Sequence, residues 1–170
     1  GSENPAIGST VKDKTGNYYK ITAAGKAEYT KPNNKSVTKV TIPATVTIGS
    51  MKYNVTSIAK NTFKNYKKLK SVVIGKKITT IGDYSFYGCK KLSSISIPGK
   101  VSKIGKQAFM NCTSLKKIKI LTTKLSTKTV GTKAFKNINK KANISVPKKK
   151  KTAYKKLLKS KGMPSKAKVV

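Results

Sequence analysis

Two cysteines, Cys89 and Cys112, and four carboxylates, Glu3, Asp13, Glu28 and Asp83, are the side chains of this 170-residue sequence with the most scope for catalysis or metal binding. Their number and spacing undercut that scope. The chain has no histidine, so it lacks the commonest general base at neutral pH and the commonest metal ligand. Glu3 and Asp13 sit near the start, and Glu28 and Asp83 lie 55 positions apart, which leaves nothing for a paired-carboxylate mechanism. A thiolate metal site needs two further soft ligands, and a cysteine nucleophile needs a base; neither is supplied. The sequence therefore predicts no catalytic, cofactor or metal residues, no cofactor, no small-molecule substrate and no enzyme.

The charge is one-sided: 39 basic residues, all lysine, stand against the four acidic ones, for a formal charge of +35. Such a chain attracts polyanions, and nucleic acid, anionic glycans, wall polymers and acidic membranes are all admissible. Lack of arginine counts against base-specific nucleic-acid readout. No run approaches the roughly 18 apolar residues of a membrane-spanning helix. No hydrophobic signal segment opens the chain either, but Gly1-Ser2 reads as a cloning remnant, so that absence says nothing about compartment.

The residues that must be positioned repeat. Phe63, Phe86 and Phe109 recur at intervals of 23, and Phe135 follows after 26. Leu69, Leu92 and Leu115 keep the same step, as do Ile58, Ile81 and Ile104, and Cys89 with Cys112. Within each unit LKSVVI, LSSISI and LKKIKI place apolar residues first, fourth and sixth, the pattern of leucine-rich repeats with one short strand per turn, stacked in a parallel sheet. The segments NTFKNYKKL, YSFYGCKKL and QAFMNCTSL carry apolar groups about three apart, which suits a short helical or 3₁₀ turn on the opposite wall. Each unit is amphipathic and depends on its neighbours to bury its inner face.

The run IGDYSFYGCKKLSSISIPGKVSKIGKQAFMNCTSLKKIKI resembles the BspA-type subfamily of leucine-rich repeats found on many bacterial surface proteins. Gly82 and Gly105 after isoleucine, an aromatic and a cysteine three apart, and the Ile97-Pro98 strand exit carry the match, over about Ile42 to Pro147. Departures fall in the end units: Ala59 and Tyr66 in the first, Ile138 and Lys141 in the last. The resemblance implies a leucine-rich-repeat solenoid, α/β or β-rich, that is secreted or displayed at the cell surface and adheres to host matrix, other cells or envelope polymers.

Four segments follow: 1–15 as the cloning remnant and a loose start, 16–54 as a β-hairpin cap with a degenerate first repeat, 55–147 as the repeats, and 148–170 as a lysine-rich cap. Turns at Ala24-Gly25 and Gly49-Ser50 separate alternating apolar residues and read as two hairpins, placed to shield the first strand edge. Tyr154, Leu157 and Leu158 fall at i, i+3 and i+4, with Thr152 as N-cap and Gly162 as stop, so a short helix closes the other end. Four or five units lie between the caps, with Ala167 to Val170 as a small added strand.

Candidate sites are surface positions. Equivalent phase puts the two cysteine Cα atoms roughly 5 Å apart, within disulfide range, but parallel projection into a narrow core, where the preceding unit has Tyr66, favours buried free thiols. The strand faces expose Lys70, Ser71 and Val73, then Ser93, Ser94 and Ser96, then Lys116, Lys117 and Lys119: a basic, small-residued surface without aromatic platforms. It is a partner-binding face or simply a solvated one. Tyr84 and Tyr87 flank Phe86 and point outward, as a binding pair or as ordinary surface tyrosines. Lys148 to Lys151 grip phosphates or form a solvated tail. The expected function is a monomeric, non-enzymatic surface module for an unknown protein or anionic polymer; the alternatives are a non-specific polyanion binder and a structural spacer.

Overall fold

A computed structural model describes residues 4–170; Gly1, Ser2 and Glu3, the remnant and one carboxylate of the sequence reading, lie outside the described residues. The chain opens with an antiparallel meander, β1 (Thr10–Lys12), β2 (Tyr18–Ala23) and β3 (Lys26–Lys31). Order therefore begins inside the stretch expected to be loose, because Val11 pairs with Tyr19 across the first turn. Then come β4 (Lys39–Ile42), β5 (Thr45–Ile48) and β6 (Met51–Ile58), the last two joined as a hairpin through Gly49-Ser50. The coils that follow carry β7 (Ser71–Ile74), β8 (Thr80–Ile81), β9 (Ser94–Ile97), β10 (Lys103–Ile104), β11 (Lys117–Ile120) and β12 (Asn143–Ser145). Helix α1 (Lys151–Ser160) and β13 (Lys168–Val169) end the chain.

Two parallel walls run along the solenoid. One is a six-stranded sheet ordered β13-β12-β11-β9-β7-β4, in register through pairs such as Val40 with Val72 and Ile95 with Ile118 with Ile144. Six coils thus contribute, against the four or five expected, since β4 and β13 are full members. The second wall continues from β3 and β6 through the two-residue strands β8 and β10 to a bridge between Ile104 and Val130. Each regular coil therefore has two strands rather than one. A strand of two residues carries too little alternation for periodicity to reveal it.

The third wall is a ribbon of turns, not the helical or 3₁₀ segment the spacing suggested. Alternate residues bond along the chain, as Tyr66 N–H to Phe63 C=O (3.0 Å), and across coils, as Phe63, Phe86 and Phe109 N–H to Ser85, Ala108 and Ala134 C=O (2.7, 2.9 and 2.8 Å). The ribbon needs two left-handed residues per coil: Asn61 and Asn65, Tyr84 and Gly88, Gln107 and Asn111, Lys133 and Asn137. Those conformations break any helix, and asparagine tolerates them because its short polar side chain bonds locally.

Inside, the phenylalanines make a continuous ladder. Tyr29, Phe63, Phe86, Phe109 and Phe135 stack with centroids 5.8, 5.2, 5.1 and 5.5 Å apart, and every one is fully buried. Each aromatic pair adds about 0.5–1.5 kcal/mol to its area burial. In the last coil Ala142, not Lys141, takes the leucine's place: its N–H reaches Asn139 C=O as Leu115 N–H reaches Cys112 C=O, and it is buried while Lys141 is exposed. The shift is confined to this turn, since the offset of 26 from Phe109 to Phe135 holds again where Ile118 pairs with Ile144.

Both ends are closed, though not as expected in detail. The hairpins extend the short-strand wall, where Tyr29 caps the aromatic ladder, and among the described residues β4 keeps β7 as its one sheet partner. At the other end Tyr154, Leu157 and Leu158 of α1 are buried. The helix is entered from a 3₁₀ turn at Lys148–Lys150 with Lys150, not Thr152, at its N-cap, so no side chain caps it. Its exit is a Schellman turn, with Gly162 at φ +94°, Met163 N–H on Leu158 C=O and Gly162 N–H on Lys159 C=O. Phe135 N–H then bonds Lys161 C=O at 3.0 Å, so the helix end replaces the missing next coil of the ribbon. The buried Tyr154 hydroxyl donates to Thr122 C=O (2.8 Å) and accepts from Leu125 N–H (3.2 Å). Tyr154→Phe is expected to cost about 1–3 kcal/mol, read by urea unfolding, because two buried backbone groups lose their partner.

Candidate functional site

The groups with chemical potential are tied into the scaffold. Asp13 accepts from Thr15 N–H and hydroxyl and from Asn17 N–H, closing the first turn. Glu28 accepts from the Ser57 hydroxyl at 2.8 Å, and Asp83 from Lys106 N–H at 2.8 Å, each joining neighbouring coils. No three potential metal ligands cluster among the described residues.

Cys89 and Cys112 are free and fully buried, between Tyr66 and Ile138 in one column. Their thiols donate to Phe63 C=O (3.1 Å) and Phe86 C=O (3.0 Å) of the preceding coils. Hydrogen bonding with Cys89, followed by burial, holds the Cys112 thiol well above its ordinary range. Both thiols are expected to resist an aromatic disulfide reagent at pH 8 in the native protein and to react fully in denaturant. Fast native labelling would contradict this burial.

The outward face of the six-stranded sheet holds an open groove of about 750 Å³. Strand alternation builds it: Val72, Ile74, Ile95, Ile97, Ile118, Ile120 and Ile144 point inward, and Ser71, Val73, Ser94, Ser96, Lys117, Lys119, Asn143 and Ser145 point out. Register fixes their columns, Ser71 beside Ser94 beside Lys117 beside Asn143, and Ser96 beside Lys119 beside Ser145. Three apolar side chains stand exposed along this groove, Val73 at 60%, Leu121 at 48% and Val170 at 53%. Pro98 and Lys76 complete the rim. The face is thus apolar at its edges as well as basic. Sequence reading missed Leu121, Pro98 and Val170, although the first two are the residues that follow the in-register strand ends Ile120 and Ile97.

The residues singled out from sequence divide three ways. Lys117 and Lys119 line the groove. Lys70 and Lys116 lie where the strands begin, around a separate hollow with Lys91, Ser93, Ser114 and Asn139. Tyr84 and Tyr87 are half-buried on the ribbon wall, edge to face at 6.1 Å. Lys64 lies 5.1 and 5.5 Å from their ring centres and Lys106 5.8 Å from Tyr84. Those cations occupy the ring faces that a stacking ligand would need.

Residues 32–162 match the BspA type leucine rich repeat region in six copies. A leucine rich cell surface protein from Faecalibacterium prausnitzii A2-165 is 30% identical in sequence, with a TM-score of 0.64 over 87% of this chain and 38% of its own. A leucine-rich repeat protein from Bacteroides ovatus ATCC 8483 is 28% identical, with a TM-score of 0.67 over 91% of this chain and 35% of its own. The pneumococcal vaccine antigen PcpA shares the fold at 18% identity and a TM-score of 0.53, over 82% of this chain and 51% of its own. The chain thus spans well under two thirds of these proteins. No curated protein matches the sequence. Repeats, aromatic ladder and family match agree: the chain belongs to the BspA-type leucine-rich-repeat family.

Proposed function

We propose that the chain is a non-catalytic recognition module, displayed outside the cell, that holds an extended acidic stretch of a partner protein along the six-stranded sheet in an adhesion-like role. The groove over that sheet carries this reading. Its exposed Val73, Leu121 and Val170 offer apolar area to alternate side chains of a partner, while Lys76, Lys117 and Lys119 offer positive charge, and no aspartate or glutamate side chain is among its described lining residues. Exposed apolar side chains standing beside lysines suit a partner segment that carries both apolar and acidic side chains, and the lysines speed encounter with it. Display outside the cell rests on the family and on the cell-surface description of the Faecalibacterium relative.

The test is surface plasmon resonance against matrix proteins, wall polymers and duplex DNA at several salt concentrations. Saturable binding to a protein that persists at about 0.3 M salt, where exposed charges are well screened, is the expected result. One steep salt slope shared by every polyanion would favour a non-specific polyanion binder instead. That second reading draws on the charge distribution, since all four carboxylates lie at or before Asp83 and 24 of the 39 lysines follow it.

A further inference from the structure

Beside the groove, and sharing no lining residue with it, the strand starts border an open hollow of about 430 Å³ lined by Lys70, Lys91, Ser93, Ser114, Lys116 and Asn139. Its geometry follows from the repeat. Ser93 N–H bonds Lys70 C=O and Lys116 N–H bonds Ser93 C=O, at 3.3 and 3.0 Å, so these three occupy one position in consecutive coils. Strand spacing puts Lys70 and Lys116 about 10 Å apart with the small serine between them. Lys91 enters from the adjoining column, where Ser114 follows it one coil on. Three lysines thus border the hollow beside two serines, with no aspartate or glutamate among its described lining residues. Asn139 is fixed in place, its Nδ2 donating to Thr113 C=O (3.1 Å) and its Oδ1 accepting from Lys141 N–H (2.9 Å), and one amide hydrogen is left over.

We infer that this hollow binds an anionic polysaccharide bearing sulfate or phosphate esters, which goes beyond the protein-binding reading of the groove. The lysines take two ester groups on either side of a sugar, and Ser93, Ser114 and Asn139 hydrogen-bond its hydroxyls. Nucleic acid fits less well. No lining residue is aromatic, so bases have no stacking platform, and the chain has no arginine for base edges.

The experiment compares binding of the whole chain to heparin, to a phosphomannan, to hyaluronan and to duplex DNA at 0.15 M salt. Three variants are used: Lys70→Ser/Lys91→Ser/Lys116→Ser, the charge-matched Lys155→Ser/Lys156→Ser/Lys159→Ser on α1, and Ser114→Tyr, which fills the hollow and keeps the charge. All substituted side chains are at least partly exposed, and thermal melts verify the fold. Heparin or phosphomannan is expected to bind more tightly than hyaluronan and DNA. The hollow triple and Ser114→Tyr should each lose about tenfold, the triple with a salt slope reduced by about 2, and the α1 triple less than about threefold. Heparin and phosphomannan responding separately distinguishes sulfate from phosphate. Equal loss in both triples, full binding by Ser114→Tyr, or DNA binding as tightly as the glycans would overturn the site. Ser96→Trp, which obstructs the groove alone, should leave glycan binding unchanged, so failure of one reading is distinguishable from failure of the other.

Discussion

Phe109→Ala is expected to lower the unfolding free energy by about 3–5 kcal/mol, the range for removing a fully buried aromatic. Phe109 is stacked between Phe86 and Phe135, at 5.1 and 5.5 Å with the rings 5° and 14° from parallel. Its backbone is pinned by the bond to Ala134 C=O, so the coil cannot collapse to fill the space. The position lies in the middle of the ladder, where stability is a sum of coils and of the interfaces between neighbours. Weakening two interfaces at once should also lower the denaturant dependence, as the two halves begin to unfold separately. Phe109→Leu keeps most of the volume and should cost far less. A loss under about 1 kcal/mol for the alanine variant would mean that the ladder is not what joins the coils.

Gly105→Val is expected to destabilise by about 1–3 kcal/mol or more, through overpacking rather than a cavity. A β-carbon built on Gly105 would lie 2.4 Å from Asp83 N and 2.6 Å from its Cα. Both are backbone atoms, so the coils must separate. Gly82 and Gly131 meet the preceding coil in the same way, at 2.6 and 2.3 Å. Even alanine should be felt at Gly105, whereas Gly99, with nothing within 4 Å, should accept it with little change. Thermal melts of Gly105→Ala, Gly105→Val and Gly99→Ala, run side by side, check the contrast.

Much of this architecture is legible from residue spacing because a solenoid writes each contact several times. Phe63, Phe86 and Phe109, and Leu69, Leu92 and Leu115, each repeat one environment, so their shared period reports a shared wall. The hairpins at Gly25 and Gly49 and the i, i+3, i+4 stripe of α1 are likewise local signals. What resisted reading is what is short or non-local. The strand at Thr80–Ile81 has two residues, and the ribbon's left-handed residues include Tyr84, Gln107 and Lys133, types that do not advertise that conformation. The inter-coil bonds impose it. The groove was half legible: alternation exposes Lys117, Lys119 and Ser96, but the apolar rim comes from Leu121 and Val170, one after a strand end and the other at the end of the chain. Separation of Lys70 and Lys116 into a second hollow depends on how three coils stack, which no single unit encodes.

Ser96→Trp is the decisive variant for the proposed protein-binding groove over the six-stranded sheet. Ser96 is exposed at the middle of that face, in register with Lys119, so an indole there obstructs the groove while the inward-facing core is untouched. With a protein partner bound saturably at about 0.3 M salt, the variant is expected to keep the wild-type melting temperature and to lose binding by about tenfold or more, or about 1.4 kcal/mol. Undiminished binding by a folded Ser96→Trp protein would exclude this groove and move recognition to another wall.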